Sequence, residues 1–295
     1  MEIRKVGVAG CGQMGGGIAR ICARAGYPVT VSEVNVTMLE RGLERIKADL
    51  AGAVAGNRLP AAEMTATLAR IEGTVKAADF AGCDIVIEAA IEDLEVKQAL
   101  FRELDAVCRR DAVLATNTSS LSVRDIVAGI SRPERTLGMH FFNPVPAMKL
   151  VELIVTDATD PTVREMAAGF ARSLGKTPVV AQDMPGFIVN RLMTPQLLTA
   201  IRLVEDGVAT RDDVDTAMTL GLNAPLGPLA LADLIGLDTL LAMADAMHRG
   251  LGETQYAAPG MLKEKIAAGE LGRKSGCGFY DYTEGGARRS SDRTS

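Results

Sequence analysis

Short, continuously apolar runs alternate with helix-length stretches through the first half of the chain. Ile3–Ala9 reads as a buried strand, followed by a helix from about Met14 to Ala25. Val29–Glu33 is a second strand, and a long helical stretch follows over about Val36–Ala55. Ile85–Ala89 is another strand, followed by a helix over Leu94–Val107, and Val113–Thr116 and Thr136–His140 are two more strands. Strands that are apolar along their whole length are buried on both faces. Separated by helices, they predict an α/β fold with a mostly parallel sheet covered on both sides.

Leu150–Val155 and Thr177–Ala181 add strand-like runs around a helix at Pro161–Leu174. After Asp183 the texture changes. Pro185–Gly186 punctuates the chain, and helices are predicted at Phe187–Glu205, Arg211–Leu220 and Ala230–Met247. This organisation gives a sheet domain over residues 1–183 and an all-helical C-terminal domain over 184–283. The Arg- and Ser-rich tail, 284–295, is expected to be disordered.

Composition removes several function classes. Of the 295 residues, 32 are Lys or Arg and 37 are Asp or Glu, a net charge of −5, so no general basic footprint for nucleic acid exists. The five cysteines lack metal-type spacing, which points to reduced thiols in a reducing compartment. With only His140 and His248, a histidine-rich metal site is excluded, and no metal is expected. His248 has no chemical context and is expected to be structural or exposed. No run approaches the roughly 20 apolar residues that cross a bilayer, and the first strand starts too early for a leader peptide. A cytoplasmic protein without membrane or nucleic-acid partners is expected.

Gly10-Cys11-Gly12-Gln13-Met14-Gly15 lies between the first strand and the first helix. That order suits a dinucleotide: Gly10 permits the tight turn, Gly12 admits the pyrophosphate, and Gly15 lets helix pack on strand. A bare turn is the alternative. Glu33, ending the second strand, can bind a ribose 2′-hydroxyl and would repel a 2′-phosphate, favouring NAD over NADP. It could also be a solvated strand end. The expected first domain is therefore Rossmann-like.

Three further features suit chemistry. Asn117-Thr118-Ser119-Ser120 follows the apolar run Val113–Ala115, where open α/β sheets bind ligands, although Ser120 or Ser122 could simply cap a helix. His140 ends a strand and can exchange a proton with an alcohol near neutral pH, although a lone histidine is often structural. Glu152, flanked by apolar residues, either faces solvent or faces inward and needs a buried partner. His140 is the candidate partner, its ring oriented by the carboxylate.

These residues resemble the 3-hydroxyacyl-CoA dehydrogenase family, and more closely its short bacterial 3-hydroxybutyryl-CoA dehydrogenase branch. The likeness rests on the glycine motif, Glu88-Ala-Ala-Ile-Glu92, Asn117–Ser120, His140-Phe-Phe-Asn-Pro-Val-Pro146 and Pro185-Gly-Phe-Ile-Val-Asn-Arg191. It continues through Gly227–Asp233, Gly236–Asp238 and Gly272–Tyr280. The resemblance implies that His140 is the catalytic base and acid, with Glu152 as its partner. Ser119 then holds the substrate's 3-oxygen, and Asn190 orients the thioester. Asn143 supports the nicotinamide side, Glu92 and Lys97 contact the nicotinamide ribose, and Asn117 belongs to the cofactor site. It implies the (3S) isomer, NAD as cofactor, and a homodimer through the helical domain, with Leu229–Leu237 and Leu240–Ala244 as candidate interface runs.

One departure concerns the acyl carrier. Ala48–Asn57 has no basic side chain, whereas the family carries lysines there to meet CoA. Coenzyme A remains the preferred carrier, with Arg58 as a candidate phosphate contact and an acyl carrier protein as the alternative. Two other readings stand beside these: a dehydrogenase of a small 3-hydroxy or carnitine-like acid, and a non-catalytic NAD-binding protein.

Overall fold

The computed structural model describes residues 2–283 and residue 287. The expected disordered tail, apart from Ala287, lies outside the described residues. The chain forms two compact units that part between Phe187 and Ile188.

The first unit runs β1 (Val6–Ala9), α1 (Gln13–Arg24), β2 (Val29–Ser32), α2 (Val36–Ala55), α3 (Ala61–Leu68), β3 (Ile71–Thr74) and β4 (Ile85–Glu88). It continues with α4 (Leu94–Val107), β5 (Val113–Thr116), α5 (Val123–Ile126), β6 (Thr136–Phe141), β7 (Leu150–Val155), α6 (Pro161–Ser173) and β8 (Thr177–Gln182). The strands form one sheet in the order β3-β2-β1-β4-β5-β6-β7-β8. All pairings are parallel except β6 with β7. The order reverses between β1 and β4, the switch point at whose carboxyl ends such sheets bind ligands. β1, β4, β5 and β6 are buried throughout, and apolar cores cover the sheet, one including Val8, Ile18 and Phe170, another Phe101, Leu104 and Leu114.

Local chemistry explains several element ends. Asn35 and Asp93 cap α2 and α4, accepting from the Met38 and Val96 amides. Ser122, and neither Ser119 nor Ser120, caps α5. The sequence reading passed over α3 and β3. β3 is Ile-Glu-Gly-Thr with only Thr74 buried, so no apolar run announces it.

The second unit holds α7 (Val189–Glu205), α8 (Arg211–Gly221), α9 (Pro228–Ile235), α10 (Leu237–Leu251) and α11 (Gly260–Ala267). The helix predicted from Phe187 starts instead at Val189, because Gly186 (φ 77°) and Phe187 (φ 49°) are left-handed. The single helix predicted over Ala230–Met247 is two helices, separated at Gly236, whose φ of 101° interrupts helical geometry. Pro195 inside α7 cannot donate to the Arg191 carbonyl, which instead accepts from the Tyr256 hydroxyl at 3.3 Å.

Leu229, Leu237, Leu240 and Ala244 are fully buried in this unit's own core, with Leu197, Ile201 and Phe279. These residues of the candidate interface runs thus lie in this unit's own core, while Leu231, Ile235, Leu241 and Met243 are partly buried and Leu234 is 51% exposed. Asp215 accepts the Leu229 and Ala230 amides at the start of α9. Asp233 accepts the Phe279 and Tyr280 amides and the Tyr282 hydroxyl, and burial raises its carboxyl above the usual range despite them. Among the described residues, no helix is long and apolar enough to cross a membrane.

At the amino ends of the strands, buried Arg132 is held by Asp105 at 2.7 Å. Burial works to raise the Asp105 carboxyl, but hydrogen bonds from Ser131 and Arg132 hold it below its ordinary value of 3.8. A carboxylate with a depressed folded value stabilises above its unfolded value, and that contribution disappears as pH falls through the folded one. Asp105→Asn is expected to cost about 3 kcal/mol near neutral pH, because it strands a buried guanidinium. Urea titrations should show this deficit shrinking below about pH 3.8.

Candidate active site

The glycine turn leads from β1 into α1. At Gly10 φ is 109°, and a Cβ there would lie 2.5 Å from the Ala89 carbonyl oxygen. At Gly15 a Cβ would collide with the Gly10 carbonyl. These glycines let the turn pass close under β4 and the helix pack close on the turn. Gly12 differs: a Cβ there would meet nothing within 4 Å. Open space thus faces the start of α1, which no side chain caps and whose first turn, Gln13 and Met14 included, holds no acid. Backbone N–H groups and the helix dipole at such an end suit a pyrophosphate. Half-buried Glu33 accepts the Cys11 N–H at 2.8 Å and the Val34 N–H at 3.1 Å, so its carboxylate is fastened to the turn. The residues present fit NAD.

His140 and Glu152 lie directly opposite one another on β6 and β7. His140 Nδ1 is 2.7 Å from Glu152 Oε2, and the two residues are 6% and 0% exposed. Phe142 and Phe187 flank the imidazole, with ring centroids at 4.5 and 5.7 Å. A carboxylate bound at Nδ1 selects the Nδ1–H tautomer and leaves the other ring nitrogen to exchange a proton.

The serine loop beyond β5 gathers on Glu92. One Glu92 oxygen accepts the Thr118 hydroxyl at 2.6 Å, the Ser119 and Ser120 amides at 2.9 and 3.1 Å, and the Ser120 hydroxyl at 2.9 Å. The Ser119 hydroxyl stands 3.5 Å from the same oxygen. Burial works to raise the Glu92 carboxyl, but Thr118, Lys97 and the serine donors hold it below its usual value. Lys97, expected at the cofactor, is 1% exposed between Glu88 at 2.6 Å and Glu92 at 3.3 Å. Its ammonium acts on the exposed Glu92 carboxylate from beneath.

Asn117 spends its amide oxygen on the Phe141 N–H, tying the ends of β5 and β6 together. Exposed Asn143 accepts from the Gln13 side chain at 3.2 Å, linking the loop after β6 to the start of α1. Arg58 is exposed just beyond α2. Asn190 lies buried on α7 in the second unit. His248 bonds to the Glu253 carbonyl.

Glu88 and Thr118 stood in the motifs quoted from the sequence without a role of their own, Thr116 only as a strand end, and Lys176 gave no signal. Lys176 is buried and donates to the Val145 and Met148 carbonyls at 2.5 and 2.6 Å, clamping the turn between β6 and β7. Burial, reinforced by the charge of Lys149, lowers its affinity for a proton. The signal for Glu88 was akin to the one that exposed Glu152: a carboxylate within or at the end of an otherwise apolar strand.

A doubly wound sheet with an open glycine turn and a carboxylate-held imidazole at a strand end defines a nicotinamide-dependent dehydrogenase. Residues 5–184 match the family model of the 3-hydroxyacyl-CoA dehydrogenase NAD binding domain, and residues 186–282 that of its C-terminal domain. The chain belongs to the 3-hydroxyacyl-CoA dehydrogenase family.

It is 45% identical over 280 residues to a 3-hydroxybutyryl-CoA dehydrogenase of Bradyrhizobium diazoefficiens, covering 95% of this chain and 96% of that one. The crystal structure of FadB2 from M. tuberculosis superposes with a TM-score of 0.93 at 46% identity, over 96% of this chain and all (100%) of that one. The (S)-3-hydroxybutyryl-CoA dehydrogenase PaaH1 of Ralstonia eutropha gives 0.92 at 38% identity, with 96% and 100% covered.

Gly12→Ala tests the cofactor cradle. The added methyl meets nothing within 4 Å beyond its chain neighbours, so the melting temperature should fall by no more than about 4 °C, the loss of roughly 1 kcal/mol expected when Ala replaces Gly at an N-cap. NADH affinity, read from its fluorescence on binding, should fall at least about tenfold, or 1.4 kcal/mol.

Proposed function

We propose that the protein interconverts (3S)-3-hydroxyacyl-CoA and 3-oxoacyl-CoA thioesters with NAD(H), acting on short chains such as 3-hydroxybutyryl-CoA. The observation that carries this reading is the buried His140–Glu152 pair, 2.7 Å apart at the carboxyl end of β6. The names of its relatives supply the substrate class.

In the oxidative direction His140 takes the proton of the 3-hydroxyl on the ring nitrogen not bonded to Glu152, which stabilises the resulting imidazolium. The nicotinamide cofactor held at the glycine turn would supply the hydride acceptor for C3. The Ser119 hydroxyl holds the 3-oxygen against His140, and such positioning supplies much of the rate. Asn190 is assigned to the thioester by the Pro185–Arg191 motif in which it stands.

For the cofactor, Gly10, Gly12, Gln13, Met14 and Gly15 take the pyrophosphate and Glu33 the adenosine ribose. Glu92, backed by Lys97, takes the nicotinamide ribose. Asn117 and Asn143 shape the nicotinamide end through the loops they tie.

Residues 1–183 serve the cofactor and the proton transfer, and 184–283 serve substrate binding and dimerisation. Exposed Leu192, Leu220 and Leu222, at 70%, 82% and 72%, are what a second copy would cover. Five free thiols suit a reducing cytoplasm.

His140→Gln should lower kcat by about a thousandfold, within the range general acid–base groups supply, and leave NADH affinity near normal. Oxidation of NADH at its absorbance band, with acetoacetyl-CoA as acceptor, measures this; an unchanged rate overturns the assignment. The same assay distinguishes carriers. Acetoacetyl-CoA should match or exceed the acetoacetyl group on an acyl carrier protein in kcat/KM, and a carrier-protein rate about a hundredfold higher, some 2.7 kcal/mol, would replace CoA.

A further inference from the structure

β4 closes on a carboxylate to which neither the glycine turn nor the acid–base pair gives a part. Glu88 is 0% exposed, and both its oxygens are occupied. Oε1 accepts the Lys97 ammonium at 2.6 Å and the Ala90 N–H at 2.7 Å. Oε2 accepts the hydroxyl of Thr116, its neighbour across β5, at 2.6 Å.

Two routes run from this carboxylate to the serine loop. Through Lys97 it meets Glu92, whose other oxygen holds Thr118, Ser119 and Ser120. Through Thr116 it meets the backbone, since the Thr116 oxygen accepts the Thr118 N–H at 3.2 Å. Loop residues 118–120 are thus fastened on both sides to one buried charge.

We infer that Glu88 is a positioning residue for the reaction, holding Lys97 and Thr116 so that Glu92 and the Thr118 amide set the Ser119 hydroxyl against the substrate. The inference rests on the reading above, in which Ser119 binds the 3-oxygen. Its physical basis is charge balance. Lys97 is shared by two carboxylates, the shorter contact being to Glu88. Without the Glu88 charge the buried ammonium has Glu92 as its remaining carboxylate and is drawn to it, in competition with the loop donors. Thr116 loses the acceptor that orients its hydroxyl at the same moment.

A double-mutant cycle on the full-length enzyme tests this. Glu88→Gln keeps the shape and removes the charge. Alone, it is expected to lower kcat/KM for acetoacetyl-CoA at least tenfold; in a Ser119→Ala background it should cost less than twofold more. A purely structural Glu88 would lower the melting temperature and cost the same factor in both backgrounds, and that result overturns the inference, as does a single variant within twofold of the native enzyme. If Ser119→Ala itself keeps native kcat/KM, the Ser119 assignment fails and the inference falls with it. Should Glu88→Gln not fold, Thr116→Val carries the same cycle. It is expected to lose threefold or more alone and less than twofold beside Ser119→Ala; equal losses overturn the inference.

Discussion

Strand β7 runs antiparallel to β6 in a sheet that is otherwise parallel, and the register of this pair sets His140 opposite Glu152. Directly paired residues project from the same face, so a buried carboxylate finds a buried imidazole without any loop having to place it. The arrangement is unforgiving. A slip of one residue would turn Glu152 to the other face and leave an unpaired charge in an apolar layer, which costs several kcal/mol. Lys176 guards the register by clamping two carbonyls in the turn between the strands. Phe142 and Phe187 close on the ring from its sides.

The same economy governs the other acids at the carboxyl ends of the strands. Glu33 is bound to the glycine turn, Glu88 to Lys97 and Thr116, and Glu92 to the serine loop. Each carboxylate organises backbone or hydroxyl groups around the place where a ligand would lie. Charge-assisted hydrogen bonds are the stronger kind, and in a buried setting they polarise one another. The donors are thereby ordered before any substrate arrives, which is the condition for orientation to contribute to rate.

Much of this was legible along the chain. The apolar runs of β4, β5 and β7 stand where their pattern put them, and β1 ends as expected at Ala9 but begins only at Val6, because burial on both faces demands continuous hydrophobicity. The glycine motif and the acid 18 residues beyond Gly15, at Glu33, announced a dinucleotide fold. Other features left no local trace. β3 forms because β2 offers it an edge, and its sequence is half polar. The α9–α10 break depends on a single glycine inside a run with helical periodicity throughout. The apolar runs of those helices said only that something covers them, and their own unit buries Leu229, Leu237, Leu240 and Ala244.

The sequence by itself determined the alternation of strands and helices, the dinucleotide turn and the residue types that the chemistry needs, because each is written in a local period or motif. The sequence offered His140 as the partner of Glu152, but whether that acid faces inward, and which carboxylates hold Lys97, was decided only by tertiary structure. Glu152 partners His140 through a strand register, while Lys97 is taken below the surface by Glu88 and backs Glu92 from there. Such pairings depend on desolvation and on distances between segments far apart in the chain, and no local pattern encodes those.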